Sequence, residues 1–232
     1  PGATHGLKIA VCSKRLSSFA LMFFDVVDAP LLYARLQQTI APQLLGLNDL
    51  ESQIAVQACP GWSVKDVMAH VSGLVAETLA GVALPRGSDE ATARQVNDRA
   101  DLSLAQICAE WVGNAHSFTG FGNEDPTYVA ALASDLVVHT IDIGEALDRP
   151  ISIDSEAVQL VASRYGTSLQ QRAADADCTL TLLFDDMSRG ENPGNDAGAG
   201  PSNDDGLTLT LRCSSLDFLR AVTGRRSGAH VR

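Results

Sequence analysis

Between residues 29 and 149 the apolar positions recur at helical spacing. Leu32, Leu36, Ile40 and Leu44 fall at i, i+4 intervals and predict a helix over residues 29–45. Val64, Val67, Met68, Val71, Leu74, Val75 and Val82 form a second stripe. It is entered through Pro60, Gly61 and Trp62, and Ser63 with Asp66 three residues on is a capping-box pair. The polar stretch 85–101 leaves room for a short helix. Leu104, Ile107, Cys108, Trp111, Val112, Ala115 and Phe118 make a third stripe, expected to open at Ser103 and end at Gly120. The fourth is framed by Asp125 as N-cap and Pro126 at the first helical position. It carries Val129, Ala133, Leu136, Ile143 and Leu147 on one face and stops before Arg149 and Pro150. Four such helices bury their stripes most simply against one another. The expected fold is therefore mainly α, an antiparallel four-helix bundle over residues 29–149.

The pattern changes after Pro150. Asp154 or Ser155 can cap a helix carrying Val158, Val161, Tyr165 and Leu169. Leu180, Leu182 and Phe184 alternate with polar neighbours, as do Leu207, Leu209, Leu211 and Cys213, so two strands are expected with those side chains inward. Residues 185–205 are rich in Gly, Asn, Asp and Pro and are expected to form a mobile loop. A short helix from Ser214 or Ser215 to Val222 completes a small α+β unit over residues 150–232.

Composition narrows the function classes. The 232 residues are 45% hydrophobic and 19% charged, as in globular proteins, and the net charge is −11. That acidity argues against nucleic-acid binding and against anionic membrane surfaces, both of which need Lys and Arg. The apolar run at 18–27 is interrupted by Asp25 and is shorter than the ~20 residues of a membrane span. Residues 1–28 are read as an extension of unassigned role rather than an export signal. The five cysteines form no CxxC pair, which speaks against a zinc ribbon or redox dithiol, and Cys108 lies in an apolar stripe as a small hydrophobe. Such cysteine usage fits a reducing, cytoplasmic setting.

Candidate chemistry sits on two of the helices. Asp135 and His139 are four residues apart and share a face of the fourth long helix. His70 lies about 60° from the centre of its own stripe at 100° per residue. All three can point into the flank of a bundle. Two imidazoles and a carboxylate suit zinc or a similar divalent ion and leave a position open, as catalytic sites do. Asp142, three residues past His139, can hold a ligand's second nitrogen. The competing reading makes these histidines incidental boundary residues. Glu77, two turns from His70, is expected on a solvated face; His116 is expected exposed, and His5 and His230 solvated.

The stretch CPGWSVKDVMAHVSG at 59–73 resembles the signature of the mycothiol-dependent maleylpyruvate isomerase family, within the wider DinB-like group of metal-binding bundles. VHTIDIGEAL at 138–147 resembles a second segment of that family, and LDFLRAVTGR at 216–225 resembles its C-terminal segment more loosely. The resemblance implies a metal held by His70, Asp135 and His139. Asp135 stands where the family would have Glu, one methylene longer, so the metal would sit nearer the fourth long helix or be reached through water. It also implies mycothiol or another low-molecular-weight thiol as cofactor. That thiol binds as thiolate, adds to an electron-poor double bond, permits rotation and leaves; other members transfer it to an electrophile. The C-terminal unit would be sterol-carrier-like, with Arg225 as the catalytic residue holding a substrate carboxylate. The expected substrate is a small electrophile or carboxylate. A non-catalytic metal- and thiol-binding protein on the same scaffold is the alternative.

Overall fold

A computed structural model of the chain describes residues 29–82, 87–187 and 207–224. The extension at 1–28, the part of the expected loop from residue 188 onward, and Arg225 lie outside the described residues. The described elements are α1 (Ala29–Leu45), α2 (Asp49–Ser52), α3 (Val64–Leu79), α4 (Asp89–Asn97), α5 (Leu104–Gly113), α6 (Ala115–Glu124), α7 (Pro126–Ala146), α8 (Ser155–Ala174), β1 (Cys178–Phe184), β2 (Leu207–Cys213) and α9 (Ser215–Val222). The fold is mainly α with a small C-terminal α+β unit.

The apolar stripes explain the packing. α1 lies against α5, α6 and α7, and α3 against α5 and α7. These elements form the sides of a bundle filled by Leu36, Ile40, Met68, Ile107, Trp111 and Leu136, all nearly or wholly buried. Ser63 and Asp66 cap α3 reciprocally, and Asp125 caps α7 ahead of Pro126. The turn before α3 follows from Pro60-Gly61: the Trp62 N–H donates to the Cys59 carbonyl at 3.0 Å, and Gly61 takes φ +87°. Pro at the second and Gly at the third position is the type II arrangement, in which a side chain at the third would be strained.

The C-terminal unit shares the bundle's apolar cluster through Val161, Leu182, Phe184, Phe218 and Leu219. β1 and β2 pair in parallel, with Cys178 opposite Leu207 and Phe184 opposite Cys213. Asp186 caps α9 from the turn after β1, its Oδ1 accepting from the Ser215 N–H at 2.8 Å.

Several expectations need correction. The third stripe is two helices, broken at Asn114, which caps the C-terminus of α5. The turn lets Phe118 stay buried from α6, whereas Val112 is exposed, and Gly120 lies inside α6 rather than ending it. α3 stops at Leu79, so Val82 falls outside it and is exposed. Leu207 and Leu209 are exposed rather than inward, because only the far end of the two-stranded sheet meets the core. Glu77 is not on a solvated face: Arg94 and Gln95 both donate to it.

Polar contacts tie the turn after α4 to α5, and α5 to α3. The Arg99 guanidinium forks onto Glu110 at 2.6 and 2.8 Å, and Ser72 donates to the same carboxylate at 2.8 Å. Burial works against ionisation of Glu110, but the Arg99 and Ser72 hydrogen bonds outweigh it and hold its pKa below the usual value. α3 and α4 approach closely at Gly73, where a Cβ would lie 2.6 Å from the Gln95 Cβ and 2.7 Å from its Cγ. Gly73→Ala is therefore expected to cost about 1–3 kcal/mol through overpacking. A lower urea midpoint at unchanged slope would register it.

Candidate metal centre

His70 projects from the buried face of α3, and Asp135 and His139 from successive turns of α7. The two imidazole rings meet edge to face with centroids 5.4 Å apart. Asp135 lies between them: its Oδ2 is 3.4 Å from His70 Nε2, and its Oδ1 is 3.5 Å from His139 Nε2. A charge-assisted N–H to carboxylate bond closes to about 2.7–2.9 Å. The observed spacings are longer than that. They match the roughly 3.3 Å edge of a tetrahedron with metal–N and metal–O bonds of about 2.0–2.1 Å. The donor set is compatible with a zinc-like ion, since one ligand atom from each of the three residues lies within 4.8 Å of the others.

The remaining ring nitrogens are both engaged. His70 Nδ1 lies 2.7 Å from Gln95 Oε1, and His139 Nδ1 lies 3.3 Å from Asp142 Oδ2. With each Nδ1–H donating outward, each Nε2 presents its lone pair to the shared centre. The expectation that Asp142 sits behind His139 is met in geometry. Cys59, which the spacing of the cysteines left without a role, also reaches the site. Its Sγ is 3.8 Å from His139 Nδ1 and 3.9 Å from Asp142 Oδ2. The turn at Pro60-Gly61 places it there, a signal present in the motif but not in residue spacing.

The electrostatics favour a cation. Burial alone pulls the His139 pKa down, but Asp135, then Asp142 and Cys59, outweigh it and push it up to about 10. In the metal-free chain this raised value favours the fold below the unfolded pKa of about 6.5, a contribution lost as pH rises through about 10. A metal must displace that proton, so zinc affinity is expected to weaken at least about tenfold for each pH unit lowered from pH 8 to 7. Titration calorimetry in buffers of different ionisation enthalpy would count the released proton. By contrast, burial pushes the Cys108 thiol up to about 12, as suits a packing residue.

The three donors line one cavity of about 660 Å³. Trp62, Leu74, Tyr128 and Leu132 contribute its apolar walls and Cys59 part of its rim. The size is that of a small-molecule site. Trp62 also faces His70, ring centroids 5.4 Å apart.

Residues 34–121 match the family model of the mycothiol maleylpyruvate isomerase N-terminal domain. No curated protein and no solved structure matches the chain. The matched span covers α3 with His70 and α4 with Gln95. Asp135 and His139 lie beyond the matched span, and their place beside His70 rests on the geometry above. Arg225 lies outside the described residues, so nothing here relates it to the cavity. No helix among the described residues is long and apolar enough to cross a membrane.

Proposed function

We propose that the protein is a metal-dependent enzyme using mycothiol or another low-molecular-weight thiol as cofactor. It either isomerises a maleylpyruvate-like substrate or transfers the thiol to an electrophile. The observation that carries this reading is the convergence of His70 Nε2, Asp135 and His139 Nε2 on the wall of a cavity large enough for thiol and substrate. A zinc-like ion held by these three would supply Lewis acidity, stabilising a thiol as its thiolate at neutral pH. Three protein donors leave one position for the sulfur. Gln95 and Asp142 keep the two imidazoles in the lone-pair orientation, and the apolar walls, Trp62 among them, limit water around the reacting double bond.

With a net charge of −11, long-range attraction does not draw an anionic substrate in. A local cation has to hold its carboxylate, and the family resemblance gives that role to Arg225. Arg225→Ala is expected to lower kcat/KM tenfold to hundredfold, about 1.5–3 kcal/mol, with metal and thiol binding unchanged. Arg225→Lys should recover only part, because an ammonium lacks the planar fork. Turnover within twofold of the unaltered protein in Arg225→Ala would remove the role.

The reading itself is tested by incubating zinc-loaded protein with mycothiol and maleylpyruvate, and separately with a thiol-reactive electrophile. Thiol-dependent turnover that a chelator or His70→Ala abolishes is expected. Zinc and thiol binding without turnover of either substrate would identify a binding protein instead.

A further inference from the structure

We infer that Gln95 is a positioning residue for His70, and that Glu77, braced by Arg94, sets the orientation of the Gln95 amide. The inference rests on the reading of His70 as a metal ligand, but its geometry is separate. Gln95 is 1% exposed and sits between two groups. Its Nε2 donates to Glu77 Oε2 at 2.7 Å, and its Oε1 faces His70 Nδ1 at 2.7 Å. Arg94 holds the other Glu77 oxygen, donating to Oε1 from Nε at 3.0 Å and from the terminal amine at 2.6 Å.

The donor–acceptor logic of this chain runs one way. An ionised carboxylate only accepts, so the Gln95 end that meets Glu77 must be the NH₂. The carbonyl end then meets His70 and can only accept, so His70 Nδ1 must carry a proton. In a neutral imidazole that leaves Nε2 with a lone pair, aimed at the shared centre. Glu77 thereby specifies the tautomer of a ring it does not touch. The bare backbone at Gly73 is what lets α4 bring Gln95 this close. His139 is set differently, by the carboxylate of Asp142. The two imidazoles are thus unequal, one backed by a neutral amide and one by a negative charge.

A charge swap tests the relay. Gln95→Leu removes the acceptor and is expected to weaken zinc binding tenfold to hundredfold, the usual effect of losing a ligand's supporting partner. Q95E places a carboxylate against Glu77 and should weaken binding at least tenfold. The double variant Q95E/E77Q restores the order, since the amide at 77 donates to the carboxylate at 95, which again accepts from His70. Its zinc affinity, measured by competition with a chromophoric chelator, is expected within threefold of the unaltered protein. Cobalt-substituted spectra should follow the same order. A double variant no better than Q95E, or Gln95→Leu within twofold of the unaltered protein, would overturn the inference. A metal-independent arm separates its failure from failure of the metal reading. In metal-free protein at pH 8.5, long-range ¹H–¹⁵N correlation should find the His70 proton on Nδ1, and on Nε2 in Gln95→Leu. If the proton stays on the same nitrogen in both, the relay is refuted whatever zinc does.

Discussion

His70→Ala is expected to bind zinc about seventyfold to a thousandfold more weakly than the unaltered protein while keeping its helical circular-dichroism signal. The size follows from sharing. Protein sites with four ligands bind zinc with about 10–16 kcal/mol, so one ligand's share is roughly 2.5–4 kcal/mol, or about seventyfold to a thousandfold. The fold survives because α3 is held by Val64, Val67, Met68 and Val71, all nearly or wholly buried, and by its capping box. What His70 leaves behind is the neutral amide of Gln95. His139→Ala should lose as much metal but also stability. It removes the imidazole facing the Asp142 carboxylate, whose side chain is 0% exposed, and losing a hydrogen bond to a charged group typically costs about 1.5–3 kcal/mol. Equal stability of the two variants in urea would contradict this asymmetry. Zinc affinity of His70→Ala within tenfold of the unaltered protein would contradict the ligand set.

The second large effect is expected at Trp111. Its ring is fully buried and stands edge-on to Tyr33 of α1, centroids 6.5 Å apart. Its Nε1 donates to the Tyr33 hydroxyl at 2.9 Å, and its carbonyl accepts from Gln37 Nε2 at 2.8 Å. Tyr33 in turn packs on Phe118, centroids 4.8 Å apart. One side chain thus ties α1 to α5 and, through Tyr33, to α6. Trp111→Ala opens a cavity and is expected to cost about 3–5 kcal/mol, a large part of the ~5–15 kcal/mol that holds a domain folded. Trp111→Phe keeps most of the volume and should cost less, the remainder reporting the bond to Tyr33. A loss below about 1 kcal/mol in Trp111→Ala would mean that this end of the bundle is held by other contacts.

These two residues also mark what the sequence made legible. α1 starts and ends where the Leu32-to-Leu44 spacing puts it, and α7 starts where Asp125 and Pro126 do, because local periodicity and capping decide those features. Asp135 and His139 were recognisable as a pair because one helix turn separates them. His70 joined them through its place beside its own stripe, a grouping that its motif then strengthened. Asp142 was legible behind His139, three residues along the same helix, but the partners behind His70 were not. Gln95 lies in a polar stretch whose pattern shows no stripe, and its contact with His70 spans 25 residues. Glu77 looks solvated on a helix viewed alone and loses that exposure only once α4 packs over it. The break at Asn114 was hidden because apolar residues continue on both sides of it, and periodicity does not distinguish one helix from two that turn together. Leu207 and Leu209 alternate as a buried strand would, yet a two-stranded sheet has too little core to cover them.

Zinc-edge X-ray absorption on zinc-loaded protein, before and after addition of mycothiol, tests the central claim most directly. One zinc per chain is expected, with only nitrogen and oxygen neighbours at about 2.0–2.1 Å before the thiol is added. One sulfur neighbour at about 2.3 Å should appear with it. Failure to take up zinc, or a sulfur neighbour already present without thiol, would contradict the assignment of His70, Asp135 and His139.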